Sequence, residues 1–350
     1  MTLLALRLTA EREVHAATLS LMVWEKTAMQ KKISICILHI GTPKTGSTAI
    51  QRFLQANYDA LSRRNIIAHV KLANQLAKAF TPWHMRTRFL KKSGLQDPQQ
   101  HAQLKKKAIQ DLQETVSSTA NDQKVVLLSS EHFYMMPSRS IDITTVKEVL
   151  ERYFETVVVV CFFRDPIDFV VSSYNQSLRG AYSGSLPAFI GQYIGSGRWK
   201  YFSNYNAWSS VFGSERCFFV PFNPDQQTNY DVVRHFCALV NLDPEGLNFS
   251  QGKRFNPQMS AKLTAVYRLI NIWVPLWKHG TGQQDVLNPS NFKLKRFFKR
   301  LWFIRRGSKL RLTEDQKQLV RSATYTEYRR MLEHYKAGRN ALSGSTGESE

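Results

Sequence analysis

The sequence predicts an α/β fold of three layers, with a mainly parallel central sheet and a helical C-terminal extension. Three observations predict it. Four short, unbroken apolar runs punctuate the chain up to residue 222, stripes of apolar residues at helical spacing separate them, and no strand pattern recurs beyond residue 250. Strands covered by helices on both faces read as continuous apolar runs rather than as alternating ones. Strands that take turns with helices pair in parallel, because each crossover returns the chain to the same sheet edge.

Taken in order, residues 1–30 form an N-terminal extension, disordered or helical, in which three basic residues offset three acidic ones. It lacks a compact apolar run ending at a small-residue cleavage site, so a secretory signal is not expected. An α/β core is expected over 31–260, with strands at 33–40, 125–129, 157–163 and 216–222. The stripe Ile50, Phe53, Leu54, Tyr58 and Leu61 marks the core face of a helix after the first strand. Ile167, Val170, Val171, Tyr174 and Leu178 mark a second, and Val232, Val233, Phe236 and Val240 a third. Residues 80–100 and 179–200 read as long loops, the second holding one helix. Residues 261–340 continue the same domain as helices, the last from about Thr313 to Tyr335, where Thr313 and Gln316 have the spacing of a capping box. The final ten residues, 341–350, are small and polar and read as a disordered tail.

Composition narrows the classes of function. The chain has 350 residues, 43% hydrophobic and 21% charged, which excludes collagen-like, low-complexity and wholly disordered readings. Its 48 Lys and Arg against 27 Asp and Glu give +21, and a surplus of that size asks for an anionic partner. Nine of the basic residues, with no acidic one, fall in 293–311, leaving +12 for the rest. In that segment Leu294, Phe297, Phe298 and Leu301 share a helical face, the pattern of a basic amphipathic helix that lies on an anionic membrane surface, packs as an ordinary surface helix or binds an acidic polysaccharide. No run approaches the ~20 apolar residues of a membrane span. Cys36, Cys161, Cys217 and Cys237 sit in apolar contexts without metal-ligand spacing, so buried thiols, no zinc and a cytoplasmic setting are expected.

The chemistry concentrates after the first strand. Residues 41–48 read Gly-Thr-Pro-Lys-Thr-Gly-Ser-Thr and open the first amphipathic helix. Such a turn aims backbone N–H groups and the positive helix end at one point, making an anion site before side chains are counted. Gly46 permits close approach, Ser47 and Thr48 add hydroxyls, and Lys44 adds a cation. In a Walker A loop the Lys follows the second Gly; here Lys44 precedes Gly46 and Ser47 stands in that place. The fold is therefore P-loop-NTPase-like in its phosphate loop without the Walker A order. At the end of the third run, Asp165 suits an N-cap, Pro166 the first helical position and Asp168 the first turn. Arg164 has no such explanation; it falls at the carboxyl edge of the sheet, where α/β proteins place ligands. Ser129-Ser130-Glu131-His132 lies after the second run at the same edge.

These residues carry a resemblance. The chain looks like the sulfotransferases that use 3′-phosphoadenosine 5′-phosphosulfate (PAPS), whose 5′-phosphosulfate loop has the Pro43-Lys44-Thr45-Gly46-Ser47-Thr48 pattern. The likeness spans roughly 33–260. It implies that Lys44 contacts the bridging oxygen and that the backbone from Thr45 to Thr48 cradles the 5′-phosphate. Arg164 and Ser172, eight residues apart, match the family's 3′-phosphate site. Lys253 and Arg254, in the basic Gly-containing stretch 251–256, match a loop that closes over the nucleotide. Ala49 stands where cytosolic members stack an aromatic residue on adenine, which leaves the adenine contact unassigned and draws the likeness toward carbohydrate and bacterial sulfotransferases.

The resemblance implies sulfuryl transfer from PAPS, leaving PAP, to a hydroxyl or amine of a carbohydrate or glycolipid, with no metal. Catalysis is then expected to rest on positioning, charge stabilisation and removal of the acceptor proton. Glu131 is the preferred general base and His132 the alternative. Trp83, Arg86, Tyr182 and Trp199 are candidate acceptor contacts. Two other readings stand beside it: an ATP-dependent P-loop kinase with Asp165 as its magnesium ligand, and a nucleotide- or polyanion-binding protein without turnover. A nucleic-acid module is disfavoured because no recognised signature accompanies the basic segment.

Overall fold

The structure, a computed structural model, describes residues 35–83, 94–117, 125–135, 143–223, 230–250, 259–279 and 307–344. The chain divides into two compact units. One comprises Met1–Arg164, Tyr201–Lys253 and Arg329–Glu350, the other Asp165–Lys200 and Arg254–Tyr328.

The first unit is built on a five-stranded, wholly parallel sheet, in the spatial order Ile66–Ala68, Val125–Ser129, Ile35–His39, Thr156–Phe163, Cys217–Pro221. Its strands are β1 (Ile35–His39), β2 (Ile66–Ala68), β3 (Val125–Ser129), β4 (Thr156–Phe163) and β5 (Cys217–Pro221). Four coincide with the apolar runs. β2 is an addition to the expected set: only three residues long and half-buried at the sheet edge, it presents no run to read.

Alternation along the strands sorts their side chains to two faces. Ile35 and Ile37 of β1, Leu127 of β3, Val158, Val160 and Phe162 of β4 and Val220 of β5 join one core with Ile50, Phe53 and Leu54 from helix Ser47–Ala56 and Val232, Val233 and Phe236 from helix Val232–Leu239. Helix Tyr201–Phe212 covers the opposite face, where Tyr201 meets Phe163 and Tyr205 meets Phe219 edge-on. Each of the larger buried side chains contributes about 1.5–3 kcal/mol. The three layers follow from that arithmetic, since a sheet apolar on both faces must be covered twice.

One residue leaves its expected place. Tyr58 is 46% exposed. The first helix ends at Ala56, Asn57 turns the chain, and a separate short helix, Tyr58–Ser62, resets the phase of the stripe. Asn57 is buried and fastens this break, donating to Phe53 O and Asn248 O and accepting from Asn248 N.

The second unit is helical. Helix Pro166–Arg179 packs with Leu186–Gly195 through Phe169, Val170, Ile190 and Tyr193, and Tyr174 and Leu178 pack on Met259, Leu263 and Tyr267. Helix Glu314–Gly344 begins with the expected capping box: Gln316 N donates to Thr313 Oγ1 at 3.3 Å and Thr313 N to Gln316 Oε1 at 3.2 Å. Beyond residue 250 the described residues add one isolated antiparallel bridge, Ser260 with Lys309. All four cysteines are buried and unbridged, and burial pushes the thiols of Cys217 and Cys237 up to about 12, so they stay protonated. Among the described residues no helix is long and apolar enough to cross a membrane.

Candidate active site

The strand order reverses at β1: β2 and β3 lie to one side of it, β4 and β5 to the other. Such a reversal opens a crevice beyond the carboxyl ends of the central strands. Three segments named by the sequence leave the sheet there, residues 41–48 after β1, Ser130–His132 after β3 and Arg164 after β4.

The phosphate loop is wound tightly. Gly41, Lys44 and Gly46 have φ of 31°, 73° and 85°. Gly46 occupies the cap position of helix Ser47–Ala56, and its carbonyl accepts from Ala49 N at 2.7 Å and Ile50 N at 3.1 Å. A side chain at Gly46 would place Cβ 2.6 Å from Val232 Cγ1, so both the backbone and the neighbouring helix require glycine. Thr42 anchors the loop to β4, its N–H and hydroxyl both donating to Phe162 O, at 3.2 Å and 2.8 Å. Thr42 O in turn accepts from Thr45 Oγ1 at 2.7 Å and Ser47 Oγ at 3.4 Å. Ser47 is thus the first helical residue with its hydroxyl turned into the loop, and no side chain caps the helix. Thr45 and Ser47 are buried, Pro43 and Lys44 half-exposed and Thr48 exposed.

Arg164 reaches back from the end of β4 to the loop. Its Nη1 donates to Lys44 O at 3.0 Å, and its guanidinium lies over the Phe222 ring, 5.2 Å from the centroid. The first contact holds the left-handed residue of the loop in place, because a carbonyl fixed by a charged donor resists rotation of its peptide. Tyr230 packs edge-on against Phe222 and bonds through its hydroxyl to His235 Nδ1 at 2.8 Å.

Glu131 lies in a turn after β3 and ahead of a short 3₁₀ segment, Phe133–Met135. Ser130 shapes that turn: its hydroxyl donates to Asn74 Oδ1 at 2.7 Å and accepts from His132 N at 3.4 Å. Glu131 is half-buried and not part of a helix. Burial pushes its carboxyl above the usual carboxylate range, and the Lys44 ammonium pulls it part of the way back. Lys44 and Glu131 therefore act on one another, a cation and a proton acceptor in one crevice.

Of the other expected residues, Ser172 is half-buried in helix Pro166–Arg179 of the second unit. Lys253, Arg254, Arg86 and residues 293–306 lie outside the described residues. Trp83 is half-buried with its ring 6.0 Å from that of His101. Tyr182 and Trp199 serve packing in the second unit: Tyr182 meets Tyr174 and Phe189 edge-on, and Trp199 Nε1 donates to Ile194 O at 2.8 Å. Asp165 caps its helix, accepting from Ile167 N at 2.8 Å, and its other oxygen accepts from Tyr325 OH at 2.6 Å. Among the described residues no three His, Cys, Asp or Glu side chains gather as a metal site.

The floor of the crevice is the part that sequence reasoning missed. His39 closes β1, wholly buried, with Nδ1 2.8 Å from Ser129 Oγ at the end of β3. The available signal was a lone polar ring ending an otherwise apolar strand, two residues before the first glycine of the loop.

The profile of the Sulfotransferase family matches residues 37–246 of this chain. The crystal structure of a sulfotransferase from Alicyclobacillus acidocaldarius is similar over 68% of this chain and 91% of that one, with 15% identity and a TM-score of 0.38. The sulfotransferase domain from the curacin biosynthetic pathway is similar over 63% and 78%, with 13% identity and a TM-score of 0.31. No curated protein matches the chain.

Proposed function

The chain belongs to the sulfotransferase family, and on that premise we propose that it transfers a sulfuryl group from PAPS to a hydroxyl of a carbohydrate or glycolipid. The observation that carries the reading is the loop wound for an anion, with the Lys44 ammonium acting electrostatically on the Glu131 carboxyl. The 5′-phosphosulfate lies on the backbone of Thr45 to Thr48, with Lys44 at the bridging oxygen. As the acceptor oxygen bonds to sulfur, the bond from sulfur to the 5′-phosphate breaks, and Lys44 offsets charge on that departing phosphate. Glu131 takes the acceptor proton, and PAP leaves. Arg164 supports the loop and, by the family resemblance, receives the 3′-phosphate. An amine acceptor obeys the same balance.

The kinase reading is disfavoured by the place of Lys44 before Gly46, and Asp165 already has structural work as a helix cap and as the partner of Tyr325. The run 293–311 is the element we assign to an anionic membrane surface at the inner face, consistent with a cytoplasmic enzyme whose thiols are buried and unbridged. The deciding experiment incubates the protein with labelled PAPS and extracts of its own source, without magnesium. Label is expected to move to a saccharide or glycolipid; if PAPS neither binds nor is consumed, the reading fails.

A further inference from the structure

Two catalytic segments spring from neighbouring strands, and their separation must be fixed for a cation on one to serve a reaction whose base sits on the other. The main chain supplies part of that constraint: His39 and Ser129 are register partners of β1 and β3, and His39 O accepts from Ser130 N at 3.0 Å. The side chains supply more. The imidazole of His39 is fully buried, packed against Phe162 and Phe236 with ring centroids 6.1 Å and 5.4 Å away, and bonded to the equally buried Ser129 hydroxyl at 2.8 Å. Its other nitrogen faces the base of the loop, where a Cβ on Gly41 would lie 3.0 Å from Nε2 and 2.8 Å from Ser47 Oγ. The loop therefore rests on this ring, and the ring is bolted to the strand that delivers Glu131.

We infer that His39 is a positioning residue for sulfuryl transfer: its imidazole, wedged under the phosphate loop and bonded to Ser129, sets the separation of Lys44 and Glu131. The inference rests on the roles proposed for those two residues. The ring suits the task because burial holds its pKa at about 3, so it stays neutral and its shape and bonding do not change over the working range. Of the charged groups around Glu131, Lys44 from the loop acts on the carboxyl; His39, Ser129, Ser130 and Asn74 in the floor and wall are uncharged.

His39→Leu keeps the bulk and removes the bond. His39→Asn keeps a polar atom near the place of Nδ1, and Ser129→Ala removes the partner. Misplacement on the scale of 1 Å costs about 10²-fold in turnover, so His39→Leu and Ser129→Ala are each expected to lower kcat by about that factor with the KM for PAPS little changed. His39→Asn should retain most of kcat, and the Leu/Ala double variant should be little worse than either single one. A second readout needs no turnover: the ¹³C carboxyl titration of Glu131, assigned through Glu131→Gln. Its midpoint should rise in His39→Leu and Ser129→Ala, since a more distant Lys44 lowers it less, and stay put in His39→Asn. Should His39→Leu not fold, Ser129→Ala and His39→Asn carry both measurements. An unmoved midpoint, or losses of activity that follow only the folded fraction, overturns the inference. Absence of any sulfuryl transfer by the parent protein overturns the proposed function instead, and the titration still decides the role of His39.

Discussion

Glu131 carries opposed demands, and its environment makes the conflict measurable. Folding raises its carboxyl above the 4.5 of a free glutamate, so the folded state binds that proton more tightly than the unfolded chain does. The stability tied to the group is fully present below the unfolded value and is lost as pH rises through the folded one. Glu131→Gln should therefore melt above the parent at about pH 8, with the gap closing toward about pH 4. The same variant should lose transfer by about 10²–10⁴-fold, the usual worth of a general base. In its proposed role as base Glu131 acts only when ionised, so parental turnover should fall as pH drops through the raised carboxyl value. Unchanged turnover in Glu131→Gln would move the role of base to His132. Gly46 poses a separate question, of backbone alone. Alanine there meets both the φ of 85° and Val232 Cγ1 at 2.6 Å. Gly46→Ala should cost about 1–3 kcal/mol in denaturant unfolding, and adding Val232→Ala should recover only the part due to the clash.

At the scale of elements, the junction from β4 into helix Pro166–Arg179 separates two chemistries. Asp165 accepts from Ile167 N and from Tyr325 OH, the work of a cap and a tether. Asparagine is an equally good cap, so Asp165→Asn should keep sulfuryl transfer near the parental rate, whereas a magnesium-dependent kinase would be abolished by it. Asp165→Ala should cost about 0.5–2 kcal/mol of stability, read from thermal melts. This junction was legible in the sequence because its signals are local: Asp165, Pro166 and Asp168 all stand within a few residues of a strand end. The same holds for the capping box at Thr313 and for four of five strands, where an unbroken apolar run is itself the consequence of burial on both faces. β2 was not legible, since a three-residue edge strand leaves no pattern in composition. Tyr58 misled because helical spacing persists across Asn57, although the buried bonds of Asn57 to Asn248 come from far along the chain. The phosphate loop could be read from its spacing; the floor beneath it could not, because the bond from His39 to Ser129 joins residues 90 apart. Pairings of that kind are set by strand order, which spacing along the chain does not encode.

At the scale of the whole molecule, the +21 charge and the crevice make different predictions about how anions bind. Diffuse charge attracts any polyanion, and at physiological salt its reach is about 8 Å. The proposed site of wound backbone, Lys44 and Arg164 would act at contact distance and discriminate by shape. Thermal melts can separate the two. At about 100 times its dissociation constant a ligand that binds only the folded state adds about 2.7 kcal/mol, so PAP without magnesium should raise the melting temperature by a few degrees. AMP, which lacks the 3′-phosphate, should raise it less, and ATP with magnesium hardly at all. Lys44→Ala and Arg164→Ala should each remove most of the PAP effect while leaving the affinity for heparin intact, because each deletes one charge of 48. Raising the salt to about 0.3 M should shrink the response to PAP without erasing it, because contact pairs that are partly buried are screened less than exposed ones. If instead the shift vanished at that salt, and polyphosphate matched PAP below it, the surplus charge alone would account for binding. The wound loop would then serve an anion without selecting a nucleotide, and the protein would act as a polyanion binder.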